Sequence, residues 1–311
     1  MKLPAPPAKD RPFDVVTFGY NSVDFLCLLP RYPAEGEKIQ MASFDMQGGG
    51  QAATAAAALA RWGFKTRYLG KFGEGREGLL SRQSLVSEGV DVSGSIVAEG
   101  MPNQTAVILV DQRNGERTII YTREKGLAVE PGEIPANLAA SGRVLLTDAH
   151  QIPATVEAAL AAKDAGIPVV IDAEKILPDT ADLIALGDYV LCDSSFPRNF
   201  TGIDRPEDAL AALGKRGAFV AMTLGAEGSL AYFDGEIIRT PGIKVECVDT
   251  TGAGDVFHAG FVAGLLLGMD AEQTLRFANA AAGLKCRALG GRKGIPARDE
   301  ILTAMVGMRP S

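Results

Sequence analysis

The chain has 311 residues, long enough for one large α/β domain or two small ones. Hydrophobic residues make up 47% and charged residues 22%, the balance of an ordinary soluble globular protein. Lys and Arg number 31 against 38 Asp and Glu, and the net charge of −7 argues against nucleic acid or an anionic membrane as partner. Cys27, Cys192, Cys247 and Cys286 are scattered without a C-x-x-C pair, so reduced thiols and no zinc site are expected. Residues 1–10 carry Pro and Lys but no apolar stretch, which fits a disordered tail and not a secretory signal. No apolar run approaches the length of a membrane span, so the expected compartment is the cytoplasm.

Asp14 to Phe18 is β-rich, ends at Gly19 and reads as a buried strand, with Asp24 just beyond its C-terminal end. Phe25 to Leu29 and Lys38 to Met46 alternate weakly and read as strands of a small second sheet. Thr105 to Val110 and Thr118 to Tyr121 look like their partners, joined through an Asn114-Gly115 hairpin turn. Gly48-Gly49-Gly50-Gln51 opens an alanine-rich helix, Ala52 to Arg61, closed by Gly63. Strands at Thr66 to Gly70, Arg143 to Thr147, Pro168 to Asp172 and Tyr189 to Cys192 alternate with helices at Gly78 to Glu88, Ala154 to Ala165 and Leu183 to Leu186. That rhythm predicts a doubly wound, mostly parallel sheet with right-handed crossovers. Ala218 to Thr223 reads as a further strand, turning through Leu224 to Gly228 into Ser229 to Phe233, and a helix follows at Ala271 to Cys286.

The most informative stretch runs from Asp249 to Phe261, D-T-T-G-A-G-D-V-F-H-A-G-F. A strand-like run, Ile243 to Val248, precedes it and a helix-like run, Phe257 to Leu267, follows. Gly252, Ala253 and Gly254 are small enough to bring backbone N–H groups against a ligand, and a helix N-terminus favours an anion. Asp255 stands in the first turn of that helix, placed to take a proton from an attacking hydroxyl. The bland reading is a helix cap at Asp249 or Thr251 with a glycine turn; a bare G-x-G warrants no more, and the full run is far more specific.

As a whole, the run resembles the second signature of the ribokinase-like (PfkB-type) carbohydrate kinases, and 48–63 resembles the first. The resemblance extends from Asp14 to Pro296 and implies ATP and Mg²⁺ as co-substrates, with Asp255 as general base and the amides of Gly252, Ala253 and Gly254 as anion hole. It also implies a sugar side formed by Asp24, Lys38, Gly49, Gly50, Gln51, Thr54, Gln104, Tyr121 and His150, and a nucleotide side at Thr223, Gly225, Gly228 and Asn279. Members activated by potassium suggest a K⁺ cage from Asp249 and Thr251 with carbonyls of Lys285, Ala288, Gly290 and Gly294. The small sheet, inserted at about 25–46 and 97–124 of one kinase domain, would act as lid and homodimer contact. Asp193 and Phe196 stand where many members have N-x-x-E, so any role of Asp193 at magnesium would run through water. Thr54 and Glu35 to Lys38 resemble the sulfofructose kinase and ketohexokinase branch, although Tyr121 and His150 replace an Asn and an Arg expected there for an anionic tail. The predicted acceptor is a furanose-form ketose or related sugar, neutral or anionic; a nucleoside kinase and a non-catalytic sugar- or nucleotide-binding regulator are the alternatives. A Rossmann dehydrogenase is excluded because no G-x-G-x-x-G follows the first strand.

Overall fold

A computed structural model describes residues 1–3, 6, 10–214 and 217–308, so half of the ten-residue tail expected to be disordered lies outside the described residues. In chain order the strands are β1 (Phe13–Phe18), β2 (Ser22–Leu29), β3 (Ser43–Gly49), β4 (Thr66–Leu69), β5 (Lys71–Glu74), β6 (Ile96–Pro102), β7 (Thr105–Asp111), β8 (Arg117–Thr122), β9 (Gly142–Asp148), β10 (Val169–Ala173), β11 (Tyr189–Cys192), β12 (Phe219–Thr223), β13 (Ser229–Phe233) and β14 (Glu236–Thr240). The helices are α1 (Gln51–Arg61), α2 (Arg76–Ser87), α3 (Ala136–Ala139), α4 (Ile152–Asp164), α5 (Thr180–Leu186), α6 (Phe196–Thr201), α7 (Pro206–Gly214), α8 (Ala253–Leu266), α9 (Ala271–Lys285) and α10 (Arg298–Val306).

The main sheet has the order β14-β13-β12-β11-β10-β9-β1-β4, parallel from β12 to β4 with β13 and β14 antiparallel at one edge. Its central strands are buried on both faces, which is why they read as continuous apolar runs. Val15, Val144, Leu146, Val170 and Leu191 turn to one face, where they pack with α1, α8 and α9; Val16, Leu145, Ile171 and Val190 turn to the other, against α4 and α5. The chain leaves β1 for β4 on one side and later returns to β9 on the other. The crevice between the carboxyl ends of β1 and β9 is therefore the switch point at which open α/β sheets bind ligands.

The second sheet, order β3-β2-β7-β8, is the expected lid. Its lower strand edge differs from expectation, because residues 37–42 form a loop and β3 begins only at Ser43. Ile243 to Val248 is not a strand either; the amides of Val248 and Asp249 both donate to the carbonyl of Cys286, at the end of α9, and not to a sheet edge. The parallel pair β5 and β6, the edge strand β14 and the helix α10 were not anticipated from the sequence. All four cysteines are free thiols. Among the described residues no helix is long and apolar enough to cross a membrane.

Candidate active site

Three strand ends and two helix starts meet at the switch point. Beyond β1, the amide of Tyr20 donates to Asp148 Oδ2 at 2.8 Å; Asp148 ends β9. Asp172, near the end of β10, lies 3.0 Å from Nδ1 of His258, on α8 one turn beyond Asp255. That contact has ion-pair distance but not hydrogen-bond alignment, since the ring nitrogen makes no directed bond. Burial alone would lower the pKa of His258; the carboxylates of Asp172, Asp255 and Glu174 outweigh it and raise it.

The turn from Asp249 ends in Gly252, at φ 73°, the N-cap of α8, and Asp255 stands in the first turn of that helix. A Cβ there would meet the Cα of Gly291 at 2.7 Å, so backbone approach as well as φ requires glycine. Helix geometry leaves the amides of Gly254 and Asp255 without an intrahelical acceptor, and Gly254 is exposed. Donors and carboxylate thus stand together at the start of α8. Burial pushes the Asp255 carboxyl up to about 7; Asp172 adds to the rise, while His258 and Arg117 oppose it. Asp255 is only half-buried as a residue, but its carboxyl is enclosed by these groups.

On the lid side, Asp24 in β2 is buried and accepts from Ser22 Oγ at 2.7 Å; burial raises its carboxyl above the usual range. A Cβ on Gly49 would lie 2.1 Å from its Oδ2, which explains the glycine. Gly50, at φ 90°, caps α1, and Gln51 follows with its Nε2 donating to Asp172 at 3.1 Å and its Oε1 accepting from His150 Nε2. His150 Nδ1 in turn accepts from Arg123, 3.2 Å away. Arg123 also donates to Gln104 Oε1 at 2.6 Å and lies over the Tyr20 ring at 4.3 Å. The structure therefore brings Asp24, Gly49, Gly50, Gln51, Gln104 and His150 around one cleft. Thr54 is buried, with its hydroxyl accepting from Arg292. Tyr121 is exposed on the cleft-side face of β8, with Lys175 over its ring. Lys38 stands exposed in the loop before β3.

On the other side of α8, Gly225 and Gly228 shape the turn after β12, which Thr223 ends. Asn279 on α9 is buried and its Nδ2 donates to Ser229 Oγ and to the carbonyls of Thr240 and Pro241, so it braces that turn. Asp193 Oδ1 accepts from the amides of Ser195 and Phe196 and from Ser195 Oγ, capping the start of α6, and Phe196 is a core residue stacked on Phe200.

Protein donors already occupy the Asp249 side of the expected monovalent-cation cage. Asp249 is fully buried, its Oδ1 taken by the Thr251 amide and hydroxyl and its Oδ2 by the Gly290 amide at 2.7 Å. Its main-chain oxygen accepts from the ammonium of Lys285 at 2.9 Å. Burial lowers the Lys285 pKa, and the Asp249 carboxylate opposes that. Arg123, Asp172, Glu174 and His258 were also missed as site residues. Asp172 had one legible signal: like Asp148, it is a carboxylate near the C-terminal end of a central strand.

A family model described as pfkB family carbohydrate kinase matches residues 13–298. An ATP-dependent ribose-1-phosphate kinase from Halopiger xanaduensis is 30% identical over 291 residues, covering 92% of this chain and 96% of that protein. Among solved structures, a putative ribokinase from Agrobacterium tumefaciens superposes with a TM-score of 0.89 at 27% identity, covering 95% of this chain and 98% of the other. Arabidopsis thaliana ribokinase complexed with ribose and ATP gives 0.81 at 28% identity, covering 94% and 98%.

Proposed function

This chain belongs to the pfkB family of carbohydrate kinases, and on that premise we propose that it transfers the γ-phosphoryl group of ATP to a hydroxymethyl group of a furanose-form ketose or related sugar. The coarser statement stands by itself: the chain is an ATP-dependent sugar or nucleoside kinase, a phosphotransferase with an alcohol acceptor. One observation carries the phosphoryl-transfer reading, the enclosed Asp255 carboxyl beside the free amides of Gly254 and Asp255 at the start of α8.

In this reading, Asp255 takes the proton as the acceptor hydroxyl attacks, and the free amides of Gly254 and Asp255 hold the charge of the moving phosphoryl group, while that of Ala253 donates to the Thr250 carbonyl at 3.2 Å. Magnesium would be supplied with ATP as MgATP and would there neutralise phosphate charge. Asp193 is committed to its helix cap, and among the described residues no group of three His, Cys, Asp or Glu is spaced to hold a metal. Thr223, Gly225, Gly228 and the turn braced by Asn279 border the nucleotide, while Asp24, Gly49 and Gly50 meet the sugar hydroxyls.

The far wall of the sugar side favours a polar acceptor over a nucleoside. The Tyr20 ring is covered by Arg123 on its face and met edge-on by His150, whose ring centroid is 4.6 Å away. Tyr20 thus offers no open face to stack a base, and Tyr121, exposed on the cleft side of β8, has Lys175 over its ring at 5.4 Å. Arg123 supplies a fixed positive charge beside His150, at the position where the sequence seemed to lack one, so an anionic group on the sugar is accommodated. This keeps the ketose branch as the preferred reading, with Arg123 in place of Lys38 as the anion contact.

The whole chain is read as one kinase domain with the lid as insertions at about 25–46 and 97–124. The register aligns Met46, Phe25, Val107 and Ile120, and next to them Phe44, Cys27, Leu109 and Thr118, on the outer lid face. Phe44 is 57% and Ile120 58% exposed, and an apolar face of this kind suits a second copy of the chain. Four free thiols suit a reducing, cytoplasmic setting. ATP consumption against a panel of ketoses, aldoses, acid sugars and nucleosides tests the assignment. A nucleoside as best substrate would discard it, as would turnover in none.

A further inference from the structure

Lys285 is the most deeply buried ammonium of the described chain, with no exposed surface, and it lies directly behind the anion-binding turn. Taking a charge out of water costs several kcal/mol unless it is paired and hydrogen-bonded. Here the ammonium donates to the Asp249 main-chain oxygen, and the Asp249 carboxylate is its nearest opposite charge. The same carboxylate holds the Thr251 amide and hydroxyl on one oxygen and the Gly290 amide on the other. Lys285 and Asp249 thus join the end of α9, the 285–294 loop and the turn that begins α8. The carbonyl of Lys285 is itself packed against Gly294, where a Cβ would lie 2.2 Å away, so the loop needs glycine there to close onto the end of α9.

We propose that Lys285 is a built-in monovalent cation: its ammonium, held on the Asp249 carbonyl, positions the phosphoryl-binding turn and makes the enzyme indifferent to potassium. A lysine ammonium is a compact point charge with the valence of K⁺, and this one stands beside the Asp249 carboxylate on which the expected cage depended. Being covalently tethered, it is present at any salt concentration. Lys285 acts through the turn and does not touch the reacting atoms, so it is a positioning residue. The inference rests on the kinase reading for its rate measurements but not for its binding measurement.

The test compares wild type, Lys285→Ala and Lys285→Met in KCl, methylammonium chloride and tetramethylammonium chloride at one ionic strength. ADP is measured directly, since coupling enzymes respond to K⁺ themselves, and thermal melting is recorded in the same buffers. Wild type should change its rate by less than about twofold between cations and show no K⁺-dependent shift in Tm. Lys285→Ala should lose on the order of tenfold or more in kcat with a smaller change in the sugar KM, the pattern of a lost transition-state arrangement. K⁺ or methylammonium should restore much of that kcat and raise the Tm of the variant, because each can enter the vacated space; a merely structural lysine would give no cation-selective rescue. Lys285→Met keeps the volume without the charge, so it should fold where Ala fails and show the kcat loss without rescue. Severalfold activation of wild type by K⁺, or a Lys285→Met variant with wild-type kcat in tetramethylammonium, would overturn the proposal. Should no acceptor be phosphorylated at all, the kinase reading fails, and a K⁺-induced Tm rise in wild type still decides against Lys285 independently.

Discussion

Asp255→Asn separates what the carboxyl does in catalysis from what it costs the fold. Its burial and the Asp172 carboxylate raise the group from 3.8 to about 7, which corresponds to about 4 kcal/mol between the two protonation states. The folded-state pKa lies above the unfolded one, so the folded chain binds the proton more tightly. Stability from this group is full below the unfolded value and is lost as pH rises through about 7. Asparagine cannot ionise and avoids that loss, although it forfeits the attraction of the carboxylate to His258 and Arg117. The net expectation is a variant more stable than wild type by roughly 1–3 kcal/mol at pH 8, with little gain at pH 4. Turnover should fall by roughly 10²–10⁴-fold, the usual worth of a positioned base, while sugar binding changes far less. Direct ADP measurement gives kcat and KM, and thermal melts at the two pH values give the stability arm. Near-normal turnover refutes the base assignment, and a Tm lower than wild type at pH 8 refutes the account of the buried charge.

Three further outcomes follow from the same geometry. The acid limb of kcat/KM should have its midpoint near the Asp255 value of about 7 and move to higher pH in His258→Asn, which removes a group that holds the carboxyl down; an unmoved or lowered limb contradicts this. Arg123→Gln should lose at least about tenfold more kcat/KM on anionic sugars than on neutral ones, and Lys38→Ala should lose little on either; selective loss in Lys38→Ala alone would return the anion contact to that loop. Ile120→Lys, in the centre of the exposed lid face, should convert a dimer to monomers in light scattering; an unchanged mass would mean that copies associate elsewhere or not at all.

What could be read from the sequence is what is local in it. The turn from Asp249 to Asp255 and the start of α1 at Gly50 each carry their chemistry within a few consecutive residues, so spacing alone exposed them. The alternating strands and helices of the main sheet were legible because both faces are buried and the central strands read as apolar runs. Arg123, Asp172, Glu174 and His258 were not legible, because their meaning lies in pairs that cross from one element to another, as Asp172 does to His258 and Arg123 to His150. Lys285 was read through its carbonyl, while its side chain decides the matter; a lysine in a helix end is ordinarily solvated, and only the packing shows this one turned inward. Ile243 to Val248 misled for the opposite reason. Its residues suit a strand, but the backbone partner available is the carbonyl of Cys286.

The lid and the catalytic turn are tied to each other at several points, and that explains why the two signature segments belong together. At the tip of the β7–β8 hairpin, the carbonyl of Gly115 accepts from the Thr250 amide and hydroxyl, and Arg117 donates to the same hydroxyl at 2.7 Å. From β3, Gln47 donates to the carbonyl of Leu289 and accepts from the amide of Lys293. Arg292 completes the set by donating to the carbonyl of Gly49 at 2.8 Å. The 249–254 turn is thus held in front by the lid hairpin and behind by Lys285, while the 289–293 loop binds β3 and the glycine run before α1. A lid that swung away would have to release Thr250, so the geometry that excludes water from the cleft and the geometry that cradles a phosphoryl group share the same hydrogen bonds. Sequence distance hides this arrangement, but it follows from the register of a single hairpin against a single turn.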